Sequence, residues 1–179
     1  MRMSLFINGK TNTKSVMKAS LSLVVAAMLL TAALVVPAAA QKQVPFKGSL
    51  QGQETDTPQG GPPPTTLIAN GSATGIATQV GQFSFTYQLT VNLANGTATG
   101  SAHLVAANGD SIDTTITGSS DLTATPGFAS ITEINTITDG TGRFAGAQGS
   151  FIVERLVNLA TGFTSGSFHG TITSPSAAH

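Results

Sequence analysis

The sequence contains no cysteine and no tryptophan, and only 9% of its 179 residues are charged. Without cysteine there can be no disulfide framework, no thiolate metal site and no cysteine nucleophile. A lipid anchor attached to a cleavage-site cysteine is excluded for the same reason. We therefore predict a fold that is held by packing and backbone hydrogen bonds and does not depend on disulfides.

The first forty residues have the pattern of a secretory signal peptide. Four cations and no acid precede the apolar run "LSLVVAAMLLTAALVV" at residues 21–36, and Pro37 with three alanines follows. This pattern predicts cleavage after Ala40 and a secreted or periplasmic product, and the alanine-rich signal favours a bacterial source. A retained anchor is the rival interpretation, but the run is shorter than the roughly 20 residues of a spanning helix. The initiator could be Met1, Met3 or Met17.

Removal of residues 1–40 would leave an acidic single domain, residues 41–179. Four cations would remain against all eight acidic residues, which gives a net charge of −4. Nucleic-acid binding needs clustered Lys and Arg, and anionic membrane surfaces also attract clustered cations. We therefore expect neither a nucleic acid nor, after cleavage, a membrane as partner.

The stretch "QFSFTYQLTVNL" at residues 82–93 alternates strictly between polar and apolar side chains. Its period of two predicts a half-buried antiparallel strand. Asn95-Gly96 follows, which is a strong hairpin signal. A two-residue turn there would place Val91 opposite Gly100 and Leu89 opposite Ala102, so that large side chains meet small ones.

The next turn contains Asn108-Gly109. A three-residue loop at 107–109 keeps the apolar side chains on one face. It places Leu104 opposite Ile112, and on the other face it places His103 beside Asp113. That pair, with Gln88, is most simply an exposed cross-strand cluster, and a proton-transfer pair is the alternative interpretation.

Further strands bring the predicted total to eight. They are expected at "VPFKGSLQG", "TLIANGSATG", "ASITEINTIT", "GSFIVERLV" and "FTSGSFHGTIT", in addition to the three strands that the two turns connect. The proline-rich residues 55–66 are predicted to form a surface loop between the first two strands. Even spacing and glycine-rich corners predict an all-β fold, an eight-stranded antiparallel closed barrel.

The stretch "ITDGTGRFAGAQG" at residues 137–149 raises the question of a phosphate loop. Its glycine spacing does not match the dinucleotide fingerprint, and no Walker lysine is present. A sharp corner between strands fits better, with Phe144 closing the end of the barrel and Arg143 bonding backbone carbonyls.

This stretch, together with "GIATQVGQFSFT" and "ANGD", resembles the allene oxide cyclase-like barrel family, which is related in shape to plant dirigent proteins. The resemblance covers roughly residues 47–172. It implies an eight-stranded antiparallel barrel of a kind common among exported bacterial proteins, and it is compatible with a homo-oligomer. Plant members cyclise an epoxide or steer radical coupling inside the barrel. None of their catalytic residues can be placed on this sequence, so the likeness alone carries no chemistry.

The sequence offers few candidates for a site. Residues expected to line a ligand site share the apolar face of the predicted hairpin: Phe83, Phe85, Tyr87, Leu89 and Leu104. Glu133 and Tyr87 are the catalytic candidates. Glu133 points into the barrel if Ile131 and Ile137 mark the inner face, and to solvent if Ile134 does. No metal site and no cofactor is predicted, because the histidines lack carboxylates at ligand spacing.

Two functions compete on this basis. The first is an exported barrel that holds a small apolar ligand, or that holds none and acts as a non-catalytic module. The alternative is an isomerase or cyclase that acts by confining its substrate, which needs few polar groups. No nucleophile, base and orienting residue can be assembled from the sequence, so whether the protein is an enzyme stays open. A purely structural module is disfavoured because no repeat of fixed period is present.

Overall fold

The computed structural model describes residues 42–173 and Pro175. Eight antiparallel strands follow one another around a closed barrel, and β1 closes the ring by pairing with β8. The strands are β1 Gln43–Gln59, β2 Thr66–Ala77, β3 Gly81–Asn92, β4 Thr97–Ala106, β5 Ser111–Leu122, β6 Phe128–Gly140, β7 Gly149–Asn158 and β8 Phe163–Thr173. The predicted fold class is thus confirmed, whereas the predicted signal peptide lies outside the described residues. In the described part of the chain, no helix has the length and apolarity to cross a membrane.

The barrel has two ends of different character. We call the upper end the one that carries the β1–β2, β3–β4, β5–β6 and β7–β8 connections, and the lower end the other. The β1–β2 connection comprises residues 60–65, which is shorter than the predicted loop at 55–66. Strand β1 continues through Pro58 to Gln59, paired with β2 on one side, and so carries two acidic side chains up to the upper end.

The register of the β3–β4 hairpin differs from the prediction by two residues. Leu89 pairs with Gly100 and Tyr87 with Ala102, because the turn holds four residues, 93–96, instead of two. The Gly96 amide donates to the carbonyl of Asn92 over 2.8 Å, and Gly96 takes a positive φ of 70°. A shift of two preserves the side-chain faces, so the inner face is as predicted.

The β4–β5 hairpin has the predicted register. Leu104 pairs with Ile112, and His103 pairs with Asp113. The Gly109 amide donates to the carbonyl of Ala106 over 2.9 Å, and Gly109 has a φ of 90°. The turn chemistry and the apolar pattern therefore agree here, which is why the sequence was sufficient.

Aromatic side chains fill the lower half of the barrel. Phe46, Phe83, Phe151 and Phe168 contact one another with ring centroids 5.1 to 6.0 Å apart. Phe144, from the short 3-10 turn Gly142–Phe144, is fully buried and closes the lower end as predicted. This half is a packed core with the tilted and edge-on ring contacts that aromatic groups prefer.

Arg143 also has the corner role expected for it. Its Nη2 donates to the carbonyl of Val80 over 3.2 Å, and its Nε lies 3.4 Å from a carboxylate oxygen of Asp110. The guanidinium lies 4.9 Å from the ring centroid of Phe144. The glycine-rich stretch is therefore a structural corner that joins β6 to β7.

Candidate functional site

A buried ion pair lies inside the barrel above the aromatic core. Arg155 on β7 donates from Nη2 to Oε1 of Glu133 over 2.7 Å and from Nε to Oε2 over 3.3 Å. The side chains are only 2% and 3% exposed. Glu133 therefore points into the barrel, on the same face of β6 as Ile137. This is one of the two orientations that the sequence left open for it.

Arg155 binds a second carboxylate on the far side of its guanidinium. Its Nη1 donates to Oε2 of Glu54 over 2.8 Å and to Oγ1 of Thr164 over 3.2 Å. Burial alone lowers the pKa of a guanidinium, but the charge of Glu133 and hydrogen bonding to it, with smaller contributions from Tyr87 and Glu54, leave the pKa of Arg155 raised. Arg155 therefore stays positively charged, and its N–H groups already donate hydrogen bonds to oxygen atoms of the protein.

Tyr87 joins this cluster from β3. Its hydroxyl donates to Oε2 of Glu54 over 2.8 Å, and its ring centroid lies 4.9 Å from the guanidinium carbon of Arg155. Burial, followed by the nearby Glu54, raises the pKa of the phenol well above its ordinary value, although Arg155 opposes the rise. Tyr87 is therefore a fixed hydrogen-bond donor across the usual pH range.

Glycines make room for these long side chains. Three members of the cluster each face a glycine on a neighbouring strand, and a Cβ there would collide with or crowd that member. The pairs are Gly71 with Tyr87, Gly118 with Glu133 and Gly166 with Arg155. The missing Cβ atoms leave room for the phenol ring of Tyr87 and for the first carbons of the Glu133 and Arg155 side chains.

Asp56 is the next inward-facing residue of β1 above Glu54. It is exposed at the upper end of the barrel, unlike the buried carboxylate of Glu133. Partial burial raises the pKa of Asp56, and the charge of Glu54 and a hydrogen bond to it raise it further against the opposing effect of Arg155. Two carboxyl groups, those of Glu54 and Asp56, therefore meet above the ion pair.

A cavity of about 390 Å³ occupies the upper half of the barrel directly above this cluster. Glu54, Asp56 and Arg155 supply its charged floor. Its walls are almost wholly aliphatic, formed by Leu67, Ala69, Leu89, Val91, Leu93, Ala98, Leu122, Ala129, Ile131, Val157 and Leu159. Volume and lining match those of small-molecule sites, which span roughly 300 to 1,000 Å³ and combine apolar walls with a few polar groups.

Exposed leucines surround the mouth of this cavity. Leu93, Leu122 and Leu159, each beside an upper connection, are 45%, 81% and 50% exposed. Large apolar side chains that gather around an opening are typical of the entrance to a ligand site. The entrance thus lies at the upper end, opposite the end that Phe144 closes.

Two depressions on the outer face are weaker candidates. The larger, about 920 Å³, crosses β1 to β4 and β8, and none of the residues that line it is ionisable. The other, about 420 Å³, contains the His103–Asp113 pair, whose atoms are 2.7 Å apart and whose side chains are 48% and 44% exposed. Gln88 does not complete the predicted trio, because its amide donates to Asn70 instead. Both are shallow surfaces of the sheet, so the inner cavity is the better site.

The residues that the sequence singled out lie at two depths. Leu89 lines the cavity, Tyr87 lies beneath its floor, and Phe83, Phe85 and Leu104 are buried in the core cluster. No group of three or more potential metal ligands occurs in residues 42–173. Whether any of these side chains contacts a ligand or takes part in catalysis stays a prediction.

Sequence reasoning missed Glu54, Asp56 and Arg155. The first two continue the even-numbered inner face of β1 that begins with Phe46 and Leu50. The signal lies in "SLQGQETD", where Glu54 and Asp56 occupy the same even-numbered positions as Leu50, although the predicted loop at 55–66 begins between them. Arg155 lies at an odd-numbered position of β7, and the odd-numbered positions of this strand point into the barrel. Charged residues are rarely found in such an interior.

Comparisons with known proteins yield a structural neighbour only. No protein-family model and no curated protein matches the chain. Among solved structures, that of the pterocarpan synthase dirigent protein GePTS1 is similar, with a TM-score of 0.57 and 10% sequence identity. The match covers 80% of this chain and 95% of that one. The barrel is therefore dirigent-like in fold, and at this identity the likeness concerns the fold alone.

Proposed function

We propose that the protein binds one small, largely apolar molecule in the upper half of its barrel. The observation that carries this proposal is the 390 Å³ cavity with aliphatic walls above a charged floor. A barrel that existed only for stability would gain from filling that space, because each unfilled volume forfeits packing energy. The lower half shows how completely this chain can fill its interior with side chains.

Binding of a neutral apolar dye tests the proposal. N-phenyl-1-naphthylamine fluoresces when it leaves water for an apolar site. Ala98 is buried, faces inward and lines the cavity, whereas its neighbour Thr99 is exposed on the outer face. Ala98→Phe should place a ring inside the cavity and weaken dye binding by roughly tenfold or more, since the ring takes up space that the bulky dye needs.

Thr99→Phe is the matched control, because it adds the same ring to the same strand on the opposite face. It should bind the dye as the parent does. Circular dichroism must show both variants folded. Equal dye binding by the two variants, or no binding by the parent, would contradict the proposal.

A second candidate function is an isomerisation or cyclisation that the cavity promotes by confinement. The hydrogen bond from Tyr87 to Glu54 beneath the floor favours it, since a fixed donor and a carboxylate could assist proton movement. The likeness to a synthase of the dirigent class adds support at the level of fold.

Chromatography coupled to native mass spectrometry separates the two functions. Molecules that copurify with the protein from its own host would be extracted from the parent and from Tyr87→Phe. A binding protein should yield the same compound from both. An enzyme should yield a changed ratio of isomers from the variant, at the same molecular mass.

The remaining parts of this proposal concern export and assembly. The protein is an exported bacterial member of the allene oxide cyclase-like or dirigent-like barrels, secreted or periplasmic, and has no nucleic-acid or membrane partner after cleavage. A homo-oligomer is compatible with it. The signal pattern at residues 1–40 and the net charge of −4 that would remain support this view. N-terminal sequencing of the exported protein should begin at Gln41, and a cytoplasmic full-length product would contradict it.

A further inference from the structure

We infer that the molecule in the upper cavity is a small amphipathic amine whose positively charged nitrogen binds between Glu54 and Asp56. The inference rests on the proposed function and narrows it to one class of ligand. Three features of the cavity support it: the hydrogen-bonding groups that remain available, the balance of charge, and the aliphatic walls.

The floor of the cavity offers acceptors and hardly any donors. Tyr87 and Arg155 both donate to Oε2 of Glu54, at 2.8 Å each. Apart from the hydrogen bond between the two carboxyl groups themselves, no donor within residues 42–173 reaches Oε1 of Glu54 or the carboxylate of Asp56. Arg155 is 2% exposed and already donates to Glu133, Glu54 and Thr164. A ligand must therefore bring its own donors.

The balance of charge is negative. Among the described residues, the ionisable groups that face the upper half are Glu54 and Asp56 from β1, Tyr87 from β3, Glu133 from β6 and Arg155 from β7. The inward positions of β2, β4, β5 and β8 at this level are aliphatic, glycine, serine or threonine. Three carboxyl groups thus share one cation, which donates two hydrogen bonds to Glu133 and one to Glu54.

An anionic ligand would meet uncompensated negative charge in a half-buried site. An ammonium group would instead relieve the repulsion between Glu54 and Asp56 and supply up to three donors. A metal ion would also carry positive charge, but no group of three or more ligands is arranged for one in residues 42–173. The aliphatic walls and the leucine rim suit an organic cation with an apolar body.

Three eight-carbon probes distinguish the head groups: octylammonium, 1-octanol and octanoate. Their affinities for the purified protein can be measured at neutral pH by isothermal titration calorimetry. We expect octylammonium to bind at least tenfold more tightly than 1-octanol, and octanoate to bind most weakly. Octanol shares the chain but not the charge, so it reports on the cavity alone.

Matched substitutions assign the effect to the two carboxyl groups. Asp56→Asn should weaken octylammonium binding by roughly tenfold, a partial loss because the site is half-exposed, and should leave octanol binding unchanged. Asp121→Asn makes the same change at the same end of the barrel but on the outer face. Glu54→Gln and Glu154→Gln form a second inner and outer pair.

The outcomes separate this inference from the proposed function. Octanol binding that is as tight as octylammonium binding, or stronger binding of octanoate, would overturn the inference and leave the cavity as a ligand site. The same holds if Asp121→Asn weakens octylammonium binding as much as Asp56→Asn. Failure of all three probes to bind would overturn both.

Discussion

Glu133 and Arg155 form a two-point ion pair across β6 and β7, with Nη2 2.7 Å from Oε1 and Nε 3.3 Å from Oε2. The pair lies where the filled lower half of the barrel meets the cavity. Since its guanidinium also holds Glu54, one arginine organises the floor of the candidate site. A buried cation in this position should have a large effect on stability.

Loss of Arg155 should be severe. Arg155→Met would leave Glu133 and Glu54 buried without a cation, and breaking a buried pair in this way costs about 3 to 5 kcal/mol. The double variant Arg155→Met/Glu133→Gln should recover part of that loss, because one unpaired charge is removed as well. Urea unfolding measures both, with Lys47→Met as a control on the exposed outer face of β1. A double variant less stable than Arg155→Met would argue against the pair as the cause.

Tyr87 offers a direct spectroscopic test, since it is the only tyrosine and the chain lacks tryptophan. Its raised pKa predicts no phenolate absorbance in the folded protein as the pH passes 10, the ordinary value. In urea the same residue should titrate near that value. Because the native state retains the proton, stability should fall as the pH rises above the unfolded pKa. Titration of the folded protein near pH 10 would show that the phenol is not buried as described.

Gly71 should be hard to replace because it faces the ring of Tyr87. A Cβ at this position would overlap the phenol, which cannot move freely while it is bonded to Glu54. Gly71→Ala should cost about 1 to 3 kcal/mol through overpacking. Ser72→Ala, on the exposed face of the same strand, should be nearly neutral.

The Gly71→Ala/Tyr87→Leu variant isolates the contact between these two side chains. Leucine vacates the space that the added methyl group needs, so the double variant should lose less stability than the sum of the single losses. Strictly additive losses, measured by urea unfolding, would show that the ring is not the obstacle.

Gly100 and Ser101 test which face of β4 points into the barrel. Gly100 lies opposite Leu89, and a Cβ there would collide with backbone atoms of Gln88 and Leu89, which cannot rotate away. Gly100→Val should therefore cost at least about 1 to 3 kcal/mol. Ser101→Val, on the outer face, should be neutral or mildly stabilising through β-propensity. Equal urea midpoints for the two would contradict the assignment of faces.

The features predicted correctly from the sequence are those that depend on residues close together in the chain. Alternation in β3 identified the inner face, and the β4–β5 turn gave the correct register. The β3–β4 register was wrong because Asn95-Gly96 suits a two-residue turn, whereas the chain forms a wider one closed by Asn92 and Gly96. Local turn chemistry did not distinguish these alternatives.

The candidate site was much less predictable. Arg155 is 101 residues from Glu54 in the sequence and 22 residues from Glu133. No motif of short, fixed spacing therefore predicts that the three side chains meet. Only the closed topology brings β1, β6 and β7 together around one interior. The prolines near residue 58 also predict a loop, because proline is rare in strands. In the structure β1 nevertheless continues to Gln59, and Asp56 lies on its inner face.

Asp56 should make stability depend on pH in a direction opposite to that of a salt-bridged aspartate. Its pKa is raised from the ordinary 3.8, first by burial and then by Glu54, so the folded state binds the proton more tightly than the unfolded state. The stability from this group is present below pH 3.8 and is lost as the pH rises through the folded pKa. Asp56→Asn removes this penalty. It should therefore raise the thermal midpoint relative to the parent at pH 7, and the difference should shrink towards pH 3.5.

Asp121→Asn, on the outer face, should show no such trend with pH. A destabilisation by Asp56→Asn at pH 7 that disappears on acidification would mean that Asp56 is held as a favourable carboxylate, and that the repulsion at the floor of the cavity is absent.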